Sequence, residues 1–224
     1  MARVWLVNAL AAIFLTLAPG DPAALAAQKT ERDLRIVLLG DSLAAGYGVA
    51  AGATLPEQLE AALRARGHRV RVINAGVSGD TTAGGRARIG WILRDRPDGV
   101  IVELGGNDAL RGIEPQATRR NLDAILTRLA EARVPALLAG WKSPRNLGPE
   151  YVREFEAVYP ELAAKHGVVY YPFILEGVAL DPALNQQDGI HPNAKGVARM
   201  VEGILPHVER LIARIERRAG RPAL

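Results

Sequence analysis

Three short polar blocks carry the residue types that acyl transfer requires: Gly40-Asp41-Ser42-Leu43, Gly105-Gly106-Asn107-Asp108 and Asp188-Gly189-Ile190-His191-Pro192. A serine hydroxyl is a poor nucleophile at neutral pH until an adjacent base takes its proton, so Ser42 needs an imidazole within hydrogen-bond reach. Asp188 precedes His191 by three positions in a stretch of turn residues. That spacing lets the carboxylate fold back onto the imidazole and fix its tautomer. The charge that develops on an attacked carbonyl oxygen needs waiting donors. The Ser42 N–H, the Asn107 side-chain amide and the Gly79 N–H in INAGVSGDT suit that role. Each block also has an ordinary structural reading. Asp-Ser after a strand makes a turn or a helix cap, Asp-x-x-His makes a surface turn, and glycine-rich blocks end buried strands. Their chain order and strand-end placement are what point to one site.

To share a site, the blocks need a common scaffold. Apolar runs recur at Leu34–Leu39, Val70–Ile73, Val100–Leu104, Ala136–Ala139 and Val168–Tyr171. They are nearly continuous rather than alternating, the pattern of strands buried on both faces, and helical stretches separate them. Thr54 with Glu57 forms a capping box ahead of Leu55, Leu59 and Leu63, and Gly67 closes that helix. A second helix is expected within Thr82–Arg94, weakened by Gly84, Gly85 and Gly90, and a clearer one from about Pro115 to Arg133. Tyr151–His166 reads as a helix bent or restarted at Pro160, and Asn193 caps a last helix towards Arg218, interrupted at Pro206. Alternating strands and helices joined by right-handed crossovers predict an α/β fold. The expected form is a three-layer α/β/α sandwich with a central, mostly parallel five-stranded sheet of flavodoxin-like kind, its site beyond the carboxyl ends of the strands.

A chain of 224 residues, 49% hydrophobic and 23% charged, suits one domain with a sizeable core. Residues 1–26 have the layout of a secretory signal peptide: Arg3, an apolar run over Val4–Ala18, the breaker Pro19-Gly20 and the small-residue site Ala24-Leu25-Ala26. The run is short for a membrane span of about 20 residues, so export is expected ahead of an uncleaved anchor, with residues 27–224 as a single domain. With no cysteine there is neither a disulfide framework nor a thiolate metal site. The net charge of +4 gathers in Arg64, Arg66, Arg69 and Arg71 and in the tail from Arg210 to Arg221. Neither cluster carries an aromatic stacking platform, which argues against nucleic acid and for solvated helix faces. Weak peripheral contact with anionic membrane lipid stays open.

GDSL, NAGVSGDT, GGND and DGIHP together resemble the four signature blocks of the SGNH-hydrolase (GDSL) family. VELGGNDALRGIEPQAT, AVYPELA and QQDGIHPNAKG are similar to the branch of that family holding bacterial periplasmic thioesterases, lysophospholipases and arylesterases. The likeness runs from about Leu34 to about His207. It implies that Ser42 is the nucleophile and first oxyanion donor, Gly79 the second donor and Asn107 the third, with Asp188 and His191 completing a triad. It further implies a periplasmic or secreted serine esterase or thioesterase that takes a small acyl ester or thioester and needs no cofactor and no metal. Ala109 stands where that branch often has glycine, which would stiffen the loop from Asp108 to Ile113, and the stretch from Trp141 to Glu150 matches no pattern of the branch.

Spacing alone already excludes the commoner serine-hydrolase layout, because no GxSxG elbow occurs. Two rival readings remain at this level. In a metal-dependent phosphoesterase, Asp41, Asn107, Asp108, Asp188 and His191 would serve as ligands, but two-metal sites generally use more imidazoles, and His68, His166 and His207 fall on helices or their ends. A non-catalytic periplasmic binding protein would hold an anion on the glycine turns and would not need Ser42, Asp188 and His191 together. Leu110, Ile113, Trp141, Pro144 and Ile190 lie near the polar blocks and are expected to line an apolar acyl groove, or equally to belong to the core.

Overall fold

Five parallel strands, β1 Leu34–Gly40, β2 Val70–Gly76, β3 Gly99–Glu103, β4 Ala136–Ala139 and β5 Val169–Tyr171, form one sheet in the order β2-β1-β3-β4-β5. The computed structural model describes residues 32–220; the expected signal peptide lies outside them. β1 faces both ways. Ile36 and Leu38 pack on one side with Leu55, Leu59, Met200 and Ile204, while Val37 and Leu39 pack on the other with Ile89, Leu122, Ile125 and Phe155. This two-sided burial is why the strand sequences lack alternation.

Among the described residues seven α-helices cover the sheet and its edge: α1 Ser42–Ala45, α2 Leu55–Ala65, α3 Thr82–Arg94, α4 Gly106–Leu110, α5 Pro115–Glu131, α6 Pro149–His166 and α7 Ala194–Ala219. α2 and α7 pack on one face and α3, α5 and α6 on the other, which gives the three expected layers. The short α1 and α4 follow β1 and β3 directly at the carboxyl edge. Glu57 accepts the Thr54 N–H, as the capping box requires. A 3₁₀ turn at Arg145–Leu147 occupies part of the stretch that had no sequence pattern.

Three local expectations need correction, at the end of β2, at Pro160 and at Pro206. β2 continues to Gly76, because its backbone stays in register with β1 up to Gly40. The helix expected within Thr82–Arg94 is present as α3 over the whole of that span. Side chains at Gly84 and Gly85 would collide with Asp80 and Leu104, so these glycines serve close packing. Neither Pro160 nor Pro206 interrupts its helix. A proline inside a helix costs roughly 3 kcal/mol, and burial of Tyr159, Leu162, Leu205 and Val208 beside these two outweighs that.

The order β2-β1-β3 places a topological switch point between β1 and β3, where crossovers leave to opposite faces and a crevice opens beyond the strand ends. Crowding there is severe. A Cβ on Gly76 would meet the backbone of Ala44 and Ala45, whereas one on Gly90, in the exposed face of α3, would meet nothing within 4 Å. Gly76→Ala is therefore expected to destabilise the fold by about 1–3 kcal/mol. Gly90→Ala should stabilise it by about 0.5–1 kcal/mol. Urea midpoints of the two variants against the parent check both signs.

Candidate active site

Ser42 opens α1 immediately after β1. Asp41 caps that helix, its Oδ1 accepting the Leu43 N–H at 3.1 Å, and Gly46, at φ 82°, ends it in the left-handed conformation. The short helix holds the Ser42 side chain at the crevice. His191 reaches it from a turn 149 positions away, with Nε2 3.0 Å from Ser42 Oγ. Asp188 organises that turn: Oδ1 accepts the N–H groups of Ile190 and His191 at 2.9 and 3.0 Å, and Oδ2 lies 2.7 Å from His191 Nδ1. These N–H groups and the imidazole hold the Asp188 carboxyl down at about 2. Gln186 fastens the turn to the α1 region through Nε2, which donates to the carbonyls of Tyr47 and Pro192 at 2.8 and 3.0 Å. The Tyr47 ring lies 4.5 Å from the imidazole.

Asn107 comes from α4, just past β3. Its Nδ2 donates to Asp41 Oδ2 at 3.1 Å and to the Asp80 carbonyl at 2.9 Å, so both amide hydrogens are engaged. Gly79 sits at φ 80° in an exposed turn after β2, its carbonyl accepting Arg111 Nη2 at 2.9 Å. Neither its N–H nor that of Ser42 meets an acceptor among the described residues. Arg88 on α3 ties these strand ends together. It donates to the Gly40 carbonyl at 2.8 Å, the Ala75 carbonyl at 2.5 Å and Asp80 Oδ2 at 2.8 Å. Asp108 turns away from the crevice and is buried, accepting the Thr82 N–H at 2.9 Å and the Thr82 and Thr118 hydroxyls at 2.5 and 3.2 Å. Among the described residues no three His, Asp or Glu side chains gather closely enough to hold a metal ion.

Two buried carboxyls lie beneath Ser42. Burial raises Asp41 to about 6, with the Leu43 N–H and the Asn107 amide pulling the other way. Glu103, the last residue of β3, is completely buried, and desolvation followed by the neighbouring Asp41 charge pushes it well above the usual carboxylate range. Its Oε2 accepts the Asp41 N–H at 3.4 Å.

Beside Ser42 and His191 opens a cavity of about 660 Å³, lined mainly by apolar side chains, a size suited to a small ligand. Of the five expected groove residues, Leu110, Trp141, Pro144 and Ile190 line it. Ile113 does not; its carbonyl instead accepts the Tyr151 hydroxyl at 2.7 Å. Phe173 and Leu180 also line it, and the sequence reading missed both. Leu180 is 91% exposed and holds φ 66°, unusual for a residue with a side chain. Glu103, Arg88 and Gln186 were missed as well. A signal existed for Glu103, as the one charged residue in the apolar run GVIVEL, and for Arg88, which follows Gly84 and Gly85 at helical spacing. None existed for Leu180.

A family model described as the GDSL-like Lipase/Acylhydrolase family matches residues 38–199. The chain is 36% identical over 178 residues to the protein named esterase TesA of Pseudomonas aeruginosa, an alignment spanning 79% of this chain and 89% of that one. It is 43% identical over 159 residues to thioesterase 1/protease 1/lysophospholipase L1 of Escherichia coli K12, covering 70% of this chain and 75% of that protein. The crystal structure of AlinE4, an SGNH-hydrolase family esterase, superimposes with a TM-score of 0.69 at 46% identity, over 81% of this chain and 98% of that one.

The Asp41 carboxyl yields a stability prediction. A folded-state value near 6, against 3.8 when unperturbed, means the folded protein keeps this proton where the unfolded chain has lost it. Its contribution is therefore fully present below about pH 4 and lost as pH rises through about 6, on the order of 3 kcal/mol. Asp41→Asn should flatten the fall in stability between pH 4 and 7, measured as denaturant midpoints at several pH values. A parallel decline in parent and variant would contradict it.

Proposed function

From the premise that the chain belongs to the GDSL-like Lipase/Acylhydrolase family and is a serine hydrolase acting on ester bonds, we propose that Ser42, His191 and Asp188 are its catalytic triad. In this reading it cleaves carboxylic esters and acyl thioesters through an acyl-enzyme. One observation carries the proposal: His191 lies between Ser42 Oγ at 3.0 Å and Asp188 Oδ2 at 2.7 Å, the line along which a proton must move.

In the proposed reaction His191 Nε2 takes the Ser42 proton as Oγ attacks the carbonyl carbon. Asp188, ionised at any pH above about 3, keeps the other ring nitrogen protonated and supports the imidazolium. The imidazolium then returns the proton to the departing alkoxide or thiolate, leaving Ser42 acylated. Water, deprotonated by the same nitrogen, then attacks the acyl carbon; the bond to Ser42 Oγ breaks, the acid leaves, and His191 returns the proton to Ser42 Oγ. The Ser42 and Gly79 N–H groups, which meet no acceptor among the described residues, suit the oxyanion directly. Asn107 joins them once one of its amide hydrogens is shared between its present acceptor and the substrate oxygen.

The apolar cavity supports an acyl chain longer than acetyl, consistent with relatives whose names include esterase, thioesterase and lysophospholipase. Leu110, Leu180 and Ile190, all exposed at its mouth, support peripheral contact with lipid assemblies. The leader-like residues 1–26 support a periplasmic or secreted location.

Ser42→Ala is expected to abolish hydrolysis of p-nitrophenyl and acyl-CoA substrates while leaving the unfolding midpoint near that of the parent; retention of most activity would refute the assignment. Asn107→Ala should lower kcat by about 10² to 10³ with a smaller change in KM. Leu110→Asp should lose the preference for medium-chain over acetyl esters, checked by kcat/KM across a p-nitrophenyl ester series.

A further inference from the structure

Two buried polar atoms near the Ser42 turn have no hydrogen-bond partner among the described residues: Glu103 Oε1, an acceptor, and Trp141 Nε1, a donor. They are close neighbours, because the Trp141 indole is one of the groups favouring the ionised form of Glu103. Glu103 stands in register with Gly40, and its carboxyl occupies the space that a side chain on Gly40 would need. Through Oε2 it meets the Asp41 N–H, one residue before Ser42. Trp141 enters from the end of β4. Its ring lies so close over Gly106 that a Cβ there would fall 2.6 Å from the indole, and Gly106 directly precedes Asn107. The same side chain lines the apolar cavity and packs against both apolar clusters. One indole thus touches the groove, the turn bearing Asn107 and the carboxyl beneath the turn bearing Ser42.

Resting on the role proposed for Ser42, we propose that the Trp141 indole N–H and the Glu103 carboxyl act as a donor–acceptor pair that holds the Ser42 turn in register with His191, which makes both of them positioning residues for attack. The pair is complementary in kind, and a buried donor or acceptor left without its counterpart is costly. With the N–H engaging Oε1, the carboxyl is oriented so that Oε2 meets Asp41. Without it, the carboxyl is free to rotate, the Asp41 anchor weakens, and the 3.0 Å contact between Ser42 and His191 lengthens. Displacements of about 1 Å at reacting atoms can cost about 10²-fold in rate.

Trp141→Phe tests the pair, since it keeps an aromatic wall and removes only the N–H with the outer ring. The expected result is a fall in kcat of about tenfold, with KM and the acyl-length profile on p-nitrophenyl esters little changed. The rate at which a serine-directed phosphonate labels Ser42 should fall by the same factor. Glu103→Gln, which keeps shape and an acceptor, should lose less than Glu103→Ala. Adding Trp141→Phe to Glu103→Ala should cost less than twofold more, because the two act through one contact. The proposal is overturned if Trp141→Phe leaves kcat and labelling at the parent level, if it alters only KM and chain-length preference, or if the two substitutions multiply. Failure of the parent protein to be labelled at Ser42 would instead remove the nucleophile assignment, a result distinguishable from any of these.

Discussion

The reactive edge depends on how closely three strand ends approach the turn after β1. Gly40 leaves space that the Glu103 carboxyl fills, and Gly76 lets the end of β2 lie against the backbone of Ala44 and Ala45. Carbonyls crowded this way must still be paired. Arg88 does so for Gly40 and Ala75 with one guanidinium, while also gripping Asp80 and hence the turn that carries Gly79. A planar group with several fixed donors is suited to this, and a lysine would meet fewer of the acceptors. Ser42, Gly79 and Asn107 are therefore referenced to one another through short, direct links among the strand ends.

That rigidity has an electrostatic cost. Asp41 and Glu103 are both removed from water and lie near each other, and burial is the leading cause of the upward push on each. An uncompensated carboxylate inside a protein is among the less favourable things a fold can contain. Asp188 shows the contrast: partly exposed, it receives two backbone N–H groups and the imidazole and is held strongly ionised. The site therefore separates its carboxyls by environment. The exposed one carries a lasting charge beside His191, and the buried ones order the backbone under Ser42.

Much of this could be read from the chain, and the reasons are specific. Strands buried on both faces write continuous apolar runs, so the five runs located the five strands to within a few residues. Helix ends with caps, such as Thr54 and Asn193, were marked by side chains that act locally. The polar blocks at strand ends were legible because parallel α/β topology brings such ends to one edge, and Ser42 and His191 do meet there. What stayed hidden depends on contacts distant in sequence. Pro160 and Pro206 looked like breaks because the burial that carries the helices through them comes from other elements. Gly84 and Gly85 looked like weak points because Asp80 and Leu104, which need the space, lie outside the helix. Ile113 was expected beside Leu110 in the groove from adjacency alone, but at the end of α4 the chain turns that segment towards Tyr151.

The engagement of Asn107 bears on how the proposed oxyanion donor is kept ready. An amide hydrogen pointing into an empty crevice would turn freely and would have to be ordered at the moment of reaction. Here Nδ2 is held by Asp41 Oδ2 on one side and the Asp80 carbonyl on the other, so the side chain has one orientation before substrate arrives. A developing negative oxygen competes well for such a hydrogen, since hydrogen bonds to charged groups are roughly twice as strong as neutral ones. The competitor it faces at Asp41 is a carboxyl whose value near 6 means it is weakened by protonation in mildly acidic solution. In the proposed mechanism the groups that fix Asn107 at rest are thus also those that must yield to the transition state. How tightly Asp41 holds its proton sets how readily they do.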